Sequence, residues 1–338
     1  MIMATKTYVD RLLVHWGEGL LWEENHRVQK KPPVQITLKS PRSTGGSGSK
    51  ADRVRQHVAA MTRKAPQVMI KITGGGADMR KISAHIDYIA RAGKYKQKNE
   101  PELEIETDDG QVIQGKEARQ HIKDMFEHSG APIPKEVQEL DSDTTLTKRK
   151  RREVLNVILS MPHGINRDAV KAAASATSNK LFAGNHLFAM VHHEDTDHQH
   201  THLVVKMVGH DGKRLNPRKA DLENWRIVFA KELNSRGIDA VATRRRVRLQ
   251  RQKGESQSVR QIKDRGEKPK RESTSITQEI AKKRGQTNER LATKAYSEIA
   301  KTLATSDSSH DRQLAKDLKN YLMQHGIGPS KSIRPTLG

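Results

Sequence analysis

The chain contains no cysteine among its 338 residues, which excludes disulfide bridges and thiolate metal sites. Aromatic residues make up only 4% and hydrophobic residues 34%, which predicts that part of the chain is extended or disordered. No apolar run reaches the length that spans a bilayer, and the start carries no secretory hydrophobic segment. We therefore expect a cytoplasmic protein without membrane insertion.

Acidic residues are also scarce relative to basic ones. The chain has 62 Lys and Arg against 40 Asp and Glu, which gives a net charge of +22. This imbalance indicates a polyanionic partner, most simply nucleic acid, and a well-solvated basic surface is the alternative. The candidate phosphate-contacting cations form two clusters: Lys148, Arg149, Lys150, Arg151 and Arg152, and then Arg244, Arg245 and Arg246. A solvated loop is the alternative for the first cluster.

Changes in composition divide the chain into three parts. Residues 1–65 are expected to form a flexible N-terminal arm, because they contain a Gly/Ser/Pro-rich run at 40–50. Residues 66–247 alternate predicted strands with amphipathic helices and form the expected ordered domain. Residues 248–338 are expected to form a basic tail that is partly helical or disordered, since they offer few apolar positions.

Five histidines and three carboxylates fall within residues 192–202, between two apolar runs. This pattern predicts a buried hairpin with a polar cluster at its end. Alternate residues of a strand share a face, so His200 and His202 point the same way, roughly 6–7 Å apart at the backbone. The turn brings His193 back toward them. Three neutral imidazoles that leave coordination positions open suit a metal that must also hold a substrate.

The turn of this hairpin carries two carboxylates, Asp195 and Asp197. We expect Asp195 to help the metal site, either by orienting a ligand imidazole or by accepting a proton. His192 is expected to point away from His193, because neighbouring residues of a strand face opposite sides. His198 lies in the turn, where substrate or solvent would contact it.

A candidate nucleophile lies more than a hundred residues earlier, on a predicted helix that begins after Asp78 and stops before Gly93. Tyr88 lies beside the apolar stripe of this helix rather than within it, so its phenol is expected to be accessible. A phenol is mostly protonated at pH 7 and needs a base or a cation to activate it. The alternative is that Tyr88 only packs against its neighbours and has no catalytic role. Tyr95 is the second candidate nucleophile.

Four segments together resemble the relaxases, the conjugative DNA-nicking and mobilisation endonucleases with a His-hydrophobe-His core. The resemblance is strongest to the MOBP branch that includes the T-DNA border endonucleases. The segments are residues 68–76 with 86–94 (IDYIARAGK), 157–164 (VILSMPHG), the hairpin at 193–202 and Asn216-Pro217-Arg218. Tyr88 fills the place of the family tyrosine, and the hairpin fills the metal motif. One residue, Gln199, stands where the family often has proline.

This resemblance covers residues 67–245 and implies a fold and an activity. The fold would be of α/β (α+β) type, HUH endonuclease-like, with helices flanking a central antiparallel sheet. The protein would nick and rejoin one strand at the transfer origin of a plasmid or mobile element, through a 5′-phosphotyrosyl intermediate on Tyr88. It would use Mg²⁺ or Mn²⁺ at His193, His200 and His202.

The resemblance also implies partners: single-stranded transfer-origin DNA, accessory origin-binding proteins and a type IV secretion coupling protein. The protein would be cytoplasmic and would pass to a recipient cell while attached to DNA. Two other functions stay open at this point. One is a non-catalytic DNA-binding protein with a structural metal site, and the other is a metallophosphoesterase that uses water as its nucleophile.

Overall fold

A computed structural model describes residues 5–21, 49–95, 102–136, 151–193, 198–243, 249, 257–268 and 275–325 of the chain. The chain divides into two compact units. One, the sheet unit, comprises Ala65–Ala242. The other, the helical unit, joins Met1–Lys64 with Thr243–Gly338.

Helices and strands follow one another along the described residues. In chain order they are α1 (Lys6–Leu21), α2 (Lys50–Thr62), β1 (Met69–Gly74), α3 (Met79–Ile89), a 3₁₀ turn (Gly93–Tyr95), β2 (Ile105–Thr107), β3 (Val112–Ile113), α4 (Gly115–His128), β4 (Val154–Ser160), α5 (Arg167–Phe182), β5 (Phe188–His193), β6 (His200–Lys206), α6 (Lys219–Asn234), α7 (Gln257–Asp264), α8 (Ser275–Ala304) and α9 (Ser309–Gln324).

The strands of the sheet unit form one open antiparallel sheet in the order β1-β4-β6-β5-β2-β3. Strands β4 and β6 are buried along most of their length, because helices cover both faces of the sheet. The expected fold class, an antiparallel sheet flanked by helices, is therefore confirmed.

Two hydrophobic cores lie on opposite faces of this sheet. On one face, α5 and α6 pack on alternate strand residues, among them Met190, Leu203 and Val205. On the other face, α3 and α4 cover the residues in between, including Val191 and Val204. Since neighbouring residues along a strand belong to different cores, the β5–β6 hairpin presents different side chains to the two faces.

Local sequence signals explain how α3 begins after β1. The Asp78 side chain accepts a hydrogen bond from the Lys81 backbone N–H at 2.9 Å, so Asp78 is the N-cap that the sequence predicts. Just before it, the chain passes close to β4. A Cβ atom at Gly75 would lie 2.1 Å from the carbonyl oxygen of Val154, so only glycine fits this turn.

The helical unit has a core of its own, built from both ends of the chain. Apolar residues of α1, α2, α8 and α9 share this core, with Leu13, Tyr296, Leu303 and Leu318 fully buried. A buried ion pair also joins α2 to α9: the Arg55 guanidinium donates to both carboxylate oxygens of Asp311, at 2.8 and 2.9 Å.

This arrangement differs from the expected division into a flexible arm at 1–65 and a separate tail at 248–338. The structure groups helices from both segments into one unit instead. The physical reason is that each amphipathic helix needs a second apolar surface, which the other segment supplies. Among the described residues, none of the helices combines the length and the apolar character that crossing a membrane requires.

Candidate functional site: a histidine cluster facing an exposed tyrosine

The β5–β6 hairpin brings three imidazoles together at one end of the sheet. His193 ends β5 and pairs with His200, which begins β6, and Val191 pairs with His202. The three ring centroids lie 4.6 to 5.0 Å apart. One ring nitrogen from each histidine lies within 4.8 Å of the others. The three histidines nominated from the sequence therefore form a cluster that one metal ion could join.

Backbone carbonyls fix the orientation of two of these rings. The Nε2 atom of His193 lies 2.7 Å from the carbonyl oxygen of Ile89, and Nδ1 of His200 lies 3.0 Å from the carbonyl oxygen of His198. A carbonyl oxygen only accepts, so each of these ring nitrogens must carry the proton. In the neutral tautomer the lone pair then lies on Nδ1 of His193 and on Nε2 of His200, as a metal ligand requires.

Burial keeps the third ring neutral. Desolvation, together with the neighbouring His193 and His200, lowers the pKa of His202 to about 3. His193 and His202 are buried, and His200 is half-buried. The donor set is thus three imidazoles in a partly dehydrated site, which fits a transition-metal ion that keeps positions open for substrate.

The phenol of Tyr88 faces this cluster from α3. Its ring centroid lies 6.2 Å from that of His202, and the two planes are nearly perpendicular. The residue is 47% exposed, so a substrate could contact it without any rearrangement of the core. Tyr95, in the 3₁₀ turn, packs edge-on against Tyr88 at 5.3 Å. The two candidate tyrosines are therefore neighbours, and distance alone does not decide between them.

Ion pairs on the flank of α3 hold the Tyr88 segment in place. The carboxylate of Asp87 accepts from Lys123 Nζ at 2.9 Å and from Arg119 Nε at 3.2 Å, and both partners lie on α4. The opposite side of α3 packs in the core with Ile82 and Ile86. The hydrogen bond from His193 to the end of α3 adds a third connection, so the helix and the hairpin are linked directly.

Two residues near the cluster were not nominated from the sequence. His85 lies one helical turn before Tyr88, and its ring centroid is 6.1 Å from that of Tyr88 and 6.3 Å from that of His202. Arg91 has a left-handed backbone with φ of 54°, and its charge contributes to the low pKa of His202. The i, i+3 spacing of His85 and Tyr88 was the signal that could have identified the first of them.

The remaining nominated residues fall into two groups. Arg151 and Arg152 are exposed just before β4, where they could contact phosphates. The others lie outside the described residues: Asp195 and Asp197 in the hairpin turn, then Lys148, Arg149, Lys150, Arg244, Arg245 and Arg246.

His192 lies on the opposite face of the hairpin from the cluster, as the alternation predicts, with its Nδ1 atom 2.7 Å from Thr201 Oγ1. Desolvation, with Lys171 and His193, lowers the pKa of His192 to about 4.

Comparison with known proteins finds a family model and two proteins that are similar to part of this chain. Residues 107–238 match the family described as relaxase, MobA/VirD2-like, nuclease domain. The T-DNA border endonuclease VirD2 of Rhizobium rhizogenes is 23% identical over 197 residues, which cover 51% of this chain and 42% of that protein. VirD2 of Agrobacterium fabrum (strain C58) is 25% identical over 192 residues, which cover 53% of this chain and 40% of that protein.

The chain carries an α+β domain with a histidine cluster on its central hairpin. Over residues 107–238 it is similar to the nuclease domain of MobA/VirD2-like relaxases. The chain spans about two fifths of the length of the curated relatives it matches. The family match includes the hairpin but begins after α3, so Tyr88 lies outside it.

Proposed function

We propose that the protein nicks and rejoins one strand of DNA at the transfer origin of a plasmid or mobile element. The nucleophile in this proposal is Tyr88, and the product is a covalent 5′-phosphotyrosyl DNA that serves conjugative transfer. The observation that carries it is the exposed phenol beside a cluster of three buried or half-buried imidazoles. A phenol and a metal site on one surface are the two parts that a metal-assisted transesterification needs.

In this proposal His193, His200 and His202 hold a divalent ion. A bound ion would polarise a phosphoryl oxygen and offset the negative charge that develops in the displacement. The expected ions are Mg²⁺ and Mn²⁺. Mg²⁺ prefers oxygen ligands, whereas an all-imidazole set suits a transition metal, so Mn²⁺ is the better fit of the two.

The covalent step exchanges one phosphoester for another. The Oη atom of Tyr88 forms a bond to the scissile phosphorus, and the bond from phosphorus to the 3′ oxygen breaks. The phenolic proton passes to a base, for which we propose Asp195 or water, and the leaving 3′ oxygen takes up a proton. Because the tyrosyl ester keeps the energy of the cleaved phosphodiester, attack by the 3′ hydroxyl can restore the strand.

The charge of the chain supports single-stranded DNA as the substrate. A net charge of +22 favours a polyanion, and the exposed Arg151 and Arg152 are described parts of the proposed contact surface. The curated relatives are named as endonucleases of T-DNA borders, which are DNA substrates. From the resemblance to relaxases we further propose accessory origin-binding proteins and a type IV secretion coupling protein as partners, and the cytoplasm as the location.

A denaturing gel tests the proposal. The protein is incubated with Mn²⁺ or Mg²⁺ and an end-labelled single-stranded oligonucleotide that carries the transfer origin. We expect a slow-migrating covalent adduct with the wild type and none with Tyr88→Phe, while Tyr95→Phe keeps it. An adduct lost in Tyr95→Phe but kept in Tyr88→Phe would assign the nucleophile to Tyr95. Cleavage without adduct would indicate a metallophosphoesterase, and binding without cleavage a DNA-binding protein with a structural metal.

A further inference from the structure

The sheet face that carries the histidine cluster continues beyond it to the edge strand β1. In an antiparallel sheet, residues that pair directly across two strands point to the same face. His202 pairs with Ile158 of β4, and Ile158 pairs with Lys71 of β1. Lys71 therefore lies on the histidine face, two strands and about 10 Å from the cluster at the usual strand spacing. The neighbouring row repeats this pattern, because Ser160 of β4 pairs with the first histidine of β6 and with Met69 of β1.

The hydrophobic core on this face does not reach the edge strand. The core under α3 and α4 includes residues of β2, β4, β5 and β6, whereas Met69, Lys71 and Ile158 belong to neither core of the sheet unit. Met69 is 49% exposed, Lys71 is exposed and Ile158 is half-buried. We call these three residues the β1 shelf. An exposed methionine on the same face as a half-buried isoleucine gives the shelf an apolar surface that a partner can cover.

The charge of the shelf favours a polyanion as this partner. Among the described residues, no carboxylate forms an ion pair with Lys71. A second cation lies beside the turn that follows β1: a Cβ atom at Gly75 would lie 3.0 Å from Cδ of the exposed Arg152. Single-stranded nucleic acid combines apolar base faces with charged phosphates, so it matches a surface on which apolar side chains and cations lie together.

We propose that the β1 shelf holds a nucleotide that neighbours the scissile phosphate, with its base against Met69 and Ile158 and a phosphate on Lys71. This inference rests on the proposed function, in which the scissile phosphate lies between Tyr88 and the histidine cluster. The pairing of His202, Ile158 and Lys71 across three strands then puts the shelf on the same face, within reach of the next part of the strand.

A mutant cycle between protein and DNA tests the base contact. Binding of a fluorescent single-stranded oligonucleotide that carries the transfer origin is measured by anisotropy. All proteins carry Tyr88→Phe, so that no covalent adduct forms. The oligonucleotide is used intact and with one abasic site at each position around the nick in turn. Met69→Ala should weaken binding of the intact strand several-fold, and it should have no further effect at the one abasic position that has already lost the base on the shelf.

The salt dependence of the same binding tests the phosphate contact. Lys71→Gln should reduce the steepness of log K against log salt by about 0.7, which is the contribution of one phosphate contact to a single strand. It should do so with the intact and with the abasic strands alike, because an abasic site keeps its phosphates.

The chain offers a matched control for each substitution. Met323 of α9 is 55% exposed and lies outside the shelf, so Met323→Ala should leave DNA affinity unchanged. Lys231 is an exposed lysine of α6, which packs on the other face of the sheet, so Lys231→Gln should leave the salt dependence unchanged. Met69 and Lys71 are themselves exposed, so neither substitution should disturb folding, and thermal melts check this.

An equal effect of Met69→Ala on the intact strand and on every abasic strand would overturn the proposal, and so would equal salt dependence in Lys71→Gln and Lys231→Gln. A wild-type dimer that Met69→Ala dissociates, with DNA affinity unchanged, would also overturn it and assign the edge strand to a second copy of the chain.

The outcome is separable from the proposed function, because adduct formation is measured separately in protein that keeps Tyr88. An adduct without coupling at any abasic position would overturn the shelf and leave the nicking activity standing. Coupling at one position without any adduct would support the shelf and overturn the nicking activity.

Discussion

Two of the tyrosine–histidine contacts among the described residues lie in very different surroundings. In the sheet unit, Tyr88 is 47% exposed and its ring lies 6.2 Å from that of His202. In the helical unit, Tyr296 is fully buried, and its hydroxyl lies 2.8 Å from Nε2 of His57. Desolvation raises the pKa of Tyr296, which keeps its phenol protonated. The same two residue types thus form a candidate reaction site in one unit and an internal hydrogen bond in the other.

Charged groups show the same contrast. In the helical unit, Arg55 meets Asp311 through two hydrogen bonds and also lies 2.7 Å from Asp10. In the sheet unit, Lys171 lies 3.5 Å from Glu104, and both side chains are well exposed. Ion pairs that are shielded from water contribute differently from exposed ones, because loss of one partner leaves a charge in a dehydrated site. The two ion pairs should therefore differ in how much stability their loss costs.

The largest effect should come from replacing Tyr88 with phenylalanine, and the same replacement at Tyr296 is its comparison. Tyr88→Phe should lower covalent adduct formation by ~10³-fold or more, because the substitution removes the oxygen that attacks the phosphorus in the proposed reaction. Its thermal stability should match that of the wild type, because the hydroxyl belongs to an exposed residue. Tyr296→Phe should keep the adduct and lose about 1 kcal/mol of stability. Denaturing gels measure adduct formation, and thermal melts measure stability. Adduct lost in Tyr296→Phe and kept in Tyr88→Phe would contradict the contrast between the two tyrosines.

The next effect concerns metal affinity. His202→Ala removes one of three clustered imidazoles and should weaken Mn²⁺ binding about 100-fold, as measured by isothermal titration calorimetry without DNA. His57→Ala, in the helical unit, is the control and should leave Mn²⁺ affinity unchanged. DNA affinity should survive His202→Ala, because cations supply most of it. Equal Mn²⁺ affinity in both variants would contradict the metal assignment.

A smaller but still large effect is expected on the stability of the helical unit. Arg55→Met leaves the carboxylate of Asp311 buried and unpaired, which should cost about 3 kcal/mol or more. Hydrogen exchange followed by mass spectrometry should show faster exchange in α1, α2 and α9. The matched control is Lys283→Met, which removes an exposed helical ion pair with Glu279 and should cost only about 0.5 kcal/mol or less. Similar exchange in the two variants would be evidence against the buried ion pair.

The smallest effect is a pH dependence of the same unit. Desolvation opposes ionisation of Asp311, but hydrogen bonds from Arg55 and Ser306 and the charge of Arg55 hold its pKa below the ordinary value of 3.8. A carboxyl group whose pKa is lower when folded stabilises the fold above the unfolded pKa. That contribution disappears as the pH falls through the folded pKa. Protection of α9 from exchange should therefore decrease below about pH 4 in the wild type, and less steeply in Asp311→Asn.

The helices and strands of the sheet unit were largely predictable because their signals are local. Asp78 was expected as the N-cap of α3 and is confirmed by its bond to the Lys81 amide. The alternation along β5 and β6 predicted that three histidines would share one side and that His192 would face the other. Each of these signals depends only on residues close together in the chain.

Other features could not be predicted because they join distant parts of the chain. The bond between His193 and the carbonyl of Ile89 links residues more than a hundred positions apart. The pairing of α1 and α2 with α8 and α9 joins the two ends of the chain, and no local pattern specifies which amphipathic surface meets which. The burial of the Gln199 side chain likewise depends on the packing around it, which no local pattern specifies.

The sequence by itself determined the periodicity, the caps, the charge and the resemblance to relaxases, because these follow from local spacing and composition. Tertiary structure alone decided which tyrosine is exposed beside the histidines and which is buried in the helical unit. Exposure depends on every chain segment that packs against a residue, so the same side chains at Tyr88 and Tyr296 end in opposite environments.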